Sequence, residues 1–256
     1  MTTQPSVVIV GGGVAGLSAA TFAARADFET RVLNREGRSP SGSRTQSGDA
    51  GDSILRRNAH LENYPGFPAG VNARLLLDMM AEGADRAGAD RREAEVTRVA
   101  RDGDEFAVET AAGEEYRADY VIAATKNAVD YLPADVELVD RGKSFVVTDE
   151  RGRTAVEGLY AAGRLAGKPH QAVVSAGHGA EVAVTMLEDA DHPFYHDWVA
   201  PDGYFTDRGR DLPPGCEEID DTERRAREDT ARETMRERFA APHPSDQPTH
   251  PSLDDA

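Results

Sequence analysis

The apolar positions near the start of the chain predict a strand followed directly by a helix. Residues 7–10 form an uninterrupted apolar run, which is typical of a buried parallel strand. Residues 14–26 are rich in Ala and predict a helix, and residues 30–33 predict a second strand. The turn at residues 11–16 is rich in glycine. This order of elements predicts an α/β fold with a central parallel sheet.

After residue 70 the spacing of apolar residues is first helical, then alternating, and then again typical of buried strands and a helix. Asn72 is a candidate cap for a helix that runs to about residue 87, with apolar residues at helical spacing. Residues 94–118 instead form short alternating segments separated by turns, which predicts a β-meander. Buried strands are expected at residues 120–124 and 159–162, and a last helix is expected to extend to about residue 188. The predicted fold therefore has a parallel sheet, flanking helices and a meander.

The chain becomes more polar after residue 190. We expect one domain over residues 1–190, an extension over 191–240, and a disordered tail over 241–256 that is rich in Pro, Asp and His. Glu and Arg alternate at helical spacing over residues 217–239 and predict an exposed helical arm. This helix is expected either to lie across a partner subunit in a homodimer or to be a solvated arm.

Charge and composition exclude several classes of partner. The formal net charge is -17, and only 3 of the 29 basic residues are Lys. Nucleic acid and anionic membranes require a basic surface, so neither is an expected partner. An acidic surface with little Lys suggests a salt-adapted cytosol. Because there is no long apolar run and the first strand begins near the N-terminus, we expect a cytoplasmic location.

Cysteine and histidine usage limits the possible chemistry. Cys216 is the only cysteine, so neither an internal disulfide nor a CxxC redox pair can form. His192 and His196 have a proline between them and no neighbouring cysteine. We therefore expect no metal site.

The glycine turn has the spacing GxGxxG at Gly11, Gly13 and Gly16, and the helix begins at Val14 and Ala15. The glycines allow a tight turn, close approach of the backbone to a pyrophosphate, and close packing of the helix on the strand. The N-terminus of the helix presents N–H groups to the phosphates. The turn thus predicts a dinucleotide site, and the alternative is a glycine turn without a ligand.

The end of the second strand leaves the identity of the dinucleotide open. An acidic residue at this place usually holds the ribose hydroxyls, but here the strand is followed by Asn34, Arg35 and Glu36. Asn can both accept and donate to a hydroxyl pair, and Glu36 could do so if the strand is two residues longer. The alternative is that these are ordinary loop residues. FAD and NAD both use such a turn.

Further motifs resemble one family. They are the segment Glu-Asn-Tyr-Pro-Gly-Phe-Pro at 62–68, Val-Ile-Ala-Ala-Thr at 121–125, the block 158–163 and His-Gln-Ala-Val-Val-Ser-Ala-Gly at 170–177. Together with the glycine turn they resemble the low-molecular-weight thioredoxin reductases and related FAD-dependent pyridine nucleotide-disulfide oxidoreductases, over about residues 5–190. The resemblance implies a Rossmann-like FAD-binding domain with FAD as cofactor.

The resemblance also implies roles for single residues. Asn63 is expected beside the flavin ring, and Gln171 and Ala172 are expected at its pyrimidine edge, where a helix N-terminus stabilises negative charge on the reduced ring. The alternative for Gln171 is a simple helix cap. The other residues implied at the FAD site are Ala124, Thr125, Gly163, Arg164 and His170.

Three positions depart from the family pattern. Arg164 stands where members carry an Asp that binds the ribityl chain, Lys126 replaces a usual Gly, and His170 replaces a usual Arg. A guanidinium cannot accept a hydrogen bond, so FAD is held differently or Arg164 turns to a phosphate.

The segment after residue 125 is the largest departure. About twenty residues, 125–144, stand where a nicotinamide-binding unit of on the order of a hundred residues is expected. The family's cysteine pair belongs to that unit.

We therefore expect an FAD-dependent oxidoreductase that takes electrons from an external donor or partner redox protein, and not a thioredoxin reductase. The alternatives are a non-catalytic flavin-binding, redox-responsive or interaction protein, and an NAD-binding dehydrogenase. No catalytic residue is assigned, and His170 and His178 are the nearest candidates.

Overall fold

A computed structural model describes residues 4–35, 53–194 and 196–248. The chain divides into two compact units, one formed by Met1–Met186 with Gln247–Ala256, and the other by Leu187–Asp246.

The first unit is built on a five-stranded parallel sheet. In chain order its strands are β1 (Ser6–Val10), β2 (Glu29–Asn34), β3 (Asp90–Glu93), β7 (Tyr120–Ala123) and β10 (Leu159–Ala161). Their spatial order is β10-β7-β1-β2-β3. In the central strand β1, the four residues after Ser6 are apolar and buried, and Ile9 is fully buried, because the strand is covered on both faces. The predicted parallel sheet is confirmed.

The edge strand β3 was not predicted. Its sequence, Asp-Arg-Arg-Glu, has no apolar residue, so no hydrophobic periodicity marks it. It pairs with β2 through its backbone, and Arg31 Nε donates to Asp90 Oδ2 across the pair at 3.1 Å. An edge position tolerates this composition.

Three helices belong to the sheet: α1 (Val14–Arg25), α2 (Ala73–Ala87) and α3 (Ala172–Asp189), whose last turn crosses the division between the units. Asn72 caps α2 as predicted, because its Oδ1 accepts from the backbone N–H groups of Arg74 and Leu75 at 3.0 and 3.2 Å. The first turn of α3 begins beside the predicted flavin residues Gln171 and Ala172.

Helices α1 and α3 approach each other closely at glycines. A Cβ atom added to Gly179 in α3 would lie 2.0 Å from the carbonyl oxygen of Ala15 in α1. A Cβ atom added to Gly16 would lie 1.8 Å from the carbonyl oxygen of Gly11. Neither position has room for a side chain. These contacts fix the N-terminus of α1 against the glycine turn and against α3.

The predicted meander is present as a separate antiparallel sheet. Its strands are β4 (Val96–Asp102), β5 (Glu105–Thr110) and β6 (Glu115–Ala118). Buried side chains of the meander, among them Phe106 and Val108, share one hydrophobic core with Val8 and Val121 of the parallel sheet.

The connection between β7 and β10 covers residues 124–158 and contains a small hairpin. Its strands are β8 (Leu138–Asp140) and β9 (Ser144–Val146). Tyr131 and Val146 bury their side chains in the same core as the meander. Strands of three residues are too short to show a periodic pattern, so the hairpin was not predicted.

The second unit contains a two-stranded parallel pair and one helix. The pair is β11 (Trp198–Pro201) and β12 (Cys216–Ile219), and the helix is α4 (Asp221–Arg238). Trp198 lies edge-on against the rings of Tyr204 and Phe205, with centroids 4.7 and 5.6 Å away.

The predicted start of the charged helix is wrong. Residues 217–219 are part of β12, where Glu218 accepts from the backbone N–H groups of Gly203 and Thr206 at 3.2 and 3.1 Å. The helix begins only after Asp220, whose Oδ1 accepts from Glu223 N at 2.8 Å. A charge pattern alone cannot distinguish a carboxylate that caps a turn from one on a helix.

Helix α4 buries none of its residues, and its Arg and Glu side chains pair at helical spacing, as predicted for an exposed helix. The structure also describes residues 241–248 of the segment predicted to be disordered. Within the described ranges, no helix is both long enough and apolar enough to cross a lipid bilayer.

Candidate functional site

A cavity of about 490 Å³ lies at the carboxyl edge of the parallel sheet, where β1, β2 and β7 end. This edge is where ligands bind in open parallel α/β sheets. Thirteen residues predicted from the sequence line the cavity: Gly11, Gly13, Val14, Ala15, Asn34, Arg35, Asn63, Ala124, Thr125, Arg164, His170, Gln171 and Ala172.

The other three predicted site residues do not line it in the described structure. Gly16 packs against the carbonyl oxygen of Gly11 and the side chain of Ile9 in β1. Gly163 is buried with φ +62°, and a Cβ atom there would lie 2.8 Å from the Cβ of Ala15. Glu36 lies outside the described residues.

The glycine turn forms one wall of the cavity. Gly11 has φ +113°, and a Cβ atom on it would lie 2.6 Å from the carbonyl oxygen of Ala124. Gly13 is the N-cap of α1, and no side chain accepts from the first N–H groups of that helix. Because Gly13, Val14 and Ala15 all line the cavity, these N–H groups are placed to receive an anion.

Asn34 supports this turn. Asn34 is the last residue of β2, whereas the sequence predicts it directly after the strand. Its Oδ1 accepts from the backbone N–H of Gly12 at 2.9 Å, and a Cβ atom on Gly12 would lie 2.7 Å from its Cγ. Asn34 therefore holds the glycine turn at the end of β2 with its carbonyl oxygen.

Replacing Asn34 by Ala is expected to weaken FAD binding about fivefold, because the N–H of Gly12 loses its acceptor and the turn loses a support. Asn34→Asp keeps an acceptor and is expected to stay within about twofold of wild type. Quenching of flavin fluorescence during a titration measures the dissociation constant of FAD for each variant. Equal weakening by Asp and Ala would contradict this role.

Arg35 and Glu95 pair at the adjacent edge of the cavity. Arg35 Nη1 lies 2.8 Å from Glu95 Oε1, and both residues line the cavity. An Arg near this place can receive the 2′-phosphate of NADP. Here a carboxylate already accepts from it, which favours a ribose without a 2′-phosphate. Glu95 was missed because it lies between β3 and β4, far from any motif.

Asn63 and Gln171 meet at the predicted flavin end. Asn63 Nδ2 donates to Gln171 Oε1 at 2.9 Å although the residues are 108 positions apart. The backbone oxygen of Gln171 accepts from Ser175 N at 3.0 Å, so the residue starts α3 while its side chain contacts Asn63. The N-terminus of α3 therefore opens on the cavity beside this pair.

Arg164 is anchored to the connection between β7 and β10. Its Nε donates to Asn127 Oδ1 at 3.3 Å, and Asn127 Nδ2 donates to the carbonyl oxygen of Ser144 at 3.0 Å. The guanidinium carbon lies 5.9 Å from the centroid of the Phe145 ring. Arg164 thus ties the hairpin segment to the wall of the cavity.

Tyr131 contributes a buried phenol to the lining. Its hydroxyl lies 2.8 Å from Thr125 Oγ1, which donates to the carbonyl oxygen of Ala128 at 2.7 Å. Burial raises the pKa of the Tyr131 phenol, so it stays protonated at neutral pH. Tyr131 lies in an irregular segment where no sequence signal marks a lining residue.

The remaining lining residues were also missed. Several belong to or border a short 3₁₀ turn, Ile54–Arg57, and others end strands or begin the meander. They are Val10, Gly12, Leu33, Ser53, Ile54, Leu55, Asn58, Leu61, Ala94, Val96, Lys126, Ala128, Ala162 and Ser175.

His178 lies behind the cavity wall, inside α3. It is 4% exposed, and its Nδ1 accepts from the backbone N–H of Gly163 at 2.9 Å. Burial, helped by the charge of Lys168, lowers the pKa of His178 to about 4. The neutral ring therefore fixes Gly163 and is a positioning residue, whereas His170 lines the cavity.

The charge of the cavity is opposite to that of the chain. Among the described residues, the charged side chains lining it are Arg35, Lys126 and Arg164 against Glu95, an excess of two positive charges. The formal net charge of the whole chain is -17. A glycine turn at a helix N-terminus together with this excess fits a ligand that contains a pyrophosphate. In the part of the chain that the structure describes, no cluster of metal-ligating side chains occurs.

Comparison with known proteins identifies the ligand. The sequence matches the FAD binding domain family over residues 6–107 and the pyridine nucleotide-disulphide oxidoreductase family over residues 68–179. This chain is thioredoxin reductase-like. FAD is its cofactor, and the glycine turn, the cationic excess and the open N-termini of α1 and α3 fit it.

Curated relatives match somewhat more than half of this thioredoxin reductase-like chain. It is 38% identical over 157 residues to the bifunctional thioredoxin reductase/thioredoxin of Mycobacterium leprae, covering 58% of this chain and 31% of the relative. It is 34% identical over 141 residues to the thioredoxin reductase of Listeria monocytogenes, covering 54% of this chain and 40% of the relative. The chain thus spans less than half the length of these relatives.

Solved structures confirm the fold. A thioredoxin reductase from Gloeobacter violaceus superposes with a TM-score of 0.62 at 18% identity, covering 75% of this chain and 97% of that one. The atypical thioredoxin reductase from Desulfovibrio vulgaris Hildenborough superposes with a TM-score of 0.54 at 19% sequence identity. The match covers 74% of this chain and 98% of that one. The predicted fold class is therefore confirmed.

Proposed function

We propose that this chain is an FAD-dependent oxidoreductase that receives electrons from an external donor or a partner redox protein. The connection between β7 and β10 supports this proposal. It covers residues 124–158, that is 35 residues, and folds as a short hairpin packed on the core. A nicotinamide-binding domain needs on the order of a hundred residues.

The chain's own residues would bind and orient the cofactor. The glycine turn and the N-terminus of α1 receive the pyrophosphate, and Asn63 with Gln171 and the N-terminus of α3 lie at the ring end. When bound, FAD supplies a ring that takes up and returns electrons. The positive end of the α3 dipole favours negative charge at that end of the cavity.

The absence of a second cysteine in the sequence makes internal dithiol chemistry impossible for this chain. Electrons therefore leave the flavin to an acceptor that binds from outside. We further propose that the chain acts in a salt-adapted cytoplasm as a homodimer, with residues 1–190 as the FAD domain and 191–240 as an extension. The division of the chain after Met186 supports the boundary.

Anaerobic reduction tests the proposal. FAD-loaded protein is mixed separately with NADH, NADPH and reduced ferredoxin, and bleaching of the visible flavin bands is followed in a stopped-flow instrument. We expect at least one donor to reduce the flavin within seconds. A flavin that stays oxidised with all three, while dithionite bleaches it, would instead favour a non-catalytic flavin-binding protein.

A further inference from the structure

Lys126 has an unusual backbone conformation. Its φ is +65°, and among the described residues the only other non-glycine residues with positive φ are Asp27 and Asp191. Asp tolerates this left-handed region because its short side chain bonds locally, whereas the long Lys side chain offers no such compensation. Lys126 therefore keeps a backbone conformation that suits Gly.

Lys126 lies beside the pyrophosphate turn. It lines the cavity and follows Ala124 and Thr125 directly. A Cβ atom on Gly11 would lie 2.6 Å from the carbonyl oxygen of Ala124 and 3.4 Å from the backbone nitrogen of Thr125. Ala124 N also donates to the carbonyl oxygen of Val10 at 2.8 Å. The backbone that carries Lys126 is thus fixed against the backbone of the glycine turn.

The choice of Lys here is also unusual for this chain. Lysine occurs only three times, and Lys143 and Lys168 do not line the cavity. The other cations that line the cavity are Arg35, which pairs with Glu95, and Arg164, which donates to Asn127. Lys126 supplies the third cation of the lining.

We propose that Lys126 is a phosphate-binding residue whose ammonium group contacts the pyrophosphate of FAD, and that its backbone strain is retained for that contact. Strained residues concentrate at functional sites, where an interaction with the ligand compensates their cost. The inference rests on FAD as the cofactor and is independent of the electron donor.

Three variants at this position separate charge from strain. Lys126→Gln removes the charge and keeps the strained backbone, Lys126→Gly removes both, and Lys126→Arg keeps both. Lys143→Gln is the matched control outside the cavity. The flavin-free full chain is titrated with FAD in 0.1 M and 1 M KCl, and Tm is measured before FAD is added.

We expect Lys126→Gln to weaken FAD binding about tenfold in 0.1 M KCl with an unchanged Tm, because one charged contact is lost. Lys126→Gly is expected to weaken FAD equally while Tm rises by about 2 °C, since Gly relieves the strain. Lys126→Arg and Lys143→Gln should bind FAD within about threefold of wild type. The difference between Lys126→Gln and wild type should shrink in 1 M KCl.

Wild-type FAD affinity in Lys126→Gln would overturn the proposal. So would equal weakening by Gln and Arg, or a weakening that does not depend on salt, since either would indicate a role in folding. If FAD affinity is unchanged and only the KM of a nicotinamide donor rises, the phosphate belongs to the donor and the assignment to FAD is wrong. FAD is titrated without any donor, so a failed electron-transfer proposal leaves this result intact.

Discussion

Replacing Gly179 by Ala is expected to destabilise the protein by about 3 kcal/mol and to prevent retention of FAD. A Cβ atom at this position would lie 2.0 Å from the carbonyl oxygen of Ala15 and 2.8 Å from its Cα, all of them backbone atoms that no side-chain rotation can move away. The helices α1 and α3 must then separate, which carries the cost of an overpacked core. Because Ala15 also lines the cavity, the N-terminus of α1 would shift away from the pyrophosphate.

Gly177 in the same helix provides the matched control. A Cβ atom there meets nothing within 4 Å, so Gly177→Ala is expected to stabilise α3 by about 0.5–1 kcal/mol through helix propensity alone. Urea denaturation gives the free energy of unfolding of each variant, and gel filtration with excess FAD gives its retention. If the two alanine variants had equal stability, the close contact between α1 and α3 would be wrong.

Replacing His178 by Leu is expected to lower the free energy of unfolding by about 2 kcal/mol at pH 7.5. The backbone N–H of Gly163 would lose its acceptor in a buried position, and an unpaired buried donor costs about 1–3 kcal/mol. The loss should also weaken FAD binding, since Gly163 packs against Ala15 beside the glycine turn.

The pH dependence of stability gives a separate signature of His178. Its folded pKa is about 4, below the unfolded value of 6.5, so the unfolded chain binds the proton more tightly. The stability that the neutral ring contributes is complete above pH 6.5 and is lost as the pH falls from 6.5 towards 4. Between pH 7.5 and 5.5 the expected loss is about 1 kcal/mol.

His178→Asn is the informative control, because its Oδ1 can take the place of Nδ1 as acceptor but does not titrate. We expect this variant to recover most of the stability lost in His178→Leu and to lack the histidine part of the decline between pH 7.5 and 5.5. The same decline in wild type and His178→Asn would contradict the assignment of this pH dependence to His178.

The strong local patterns of the sequence predicted the main architecture. Strand β1, the glycine turn and α1 were predicted because an apolar run, Gly11 to Gly16 and a helical period adjoin one another. Strand β3 was missed because it is an all-polar edge that pairs only through its backbone. The hairpin β8–β9 was missed because each of its strands has three residues.

The site was predictable wherever a residue belongs to a motif. Asn63 and Gln171 belong to separate motifs, and their hydrogen bond at 2.9 Å comes from the tertiary fold. Glu95 and Tyr131 reach the cavity only because the meander and the β7–β10 connection pack on the sheet, which no local pattern records. The positive φ of Lys126 likewise could not be predicted from the sequence, because no local pattern specifies it.

The central claim is that the cavity of the first unit holds one FAD. Equilibrium titration of the flavin-free full chain, followed by gel filtration and a visible spectrum, tests it most directly. We expect one FAD per chain, two visible flavin bands that elute with the protein, and no displacement by NAD. A colourless protein that takes up no FAD, or one that binds NAD in its place, would contradict the account.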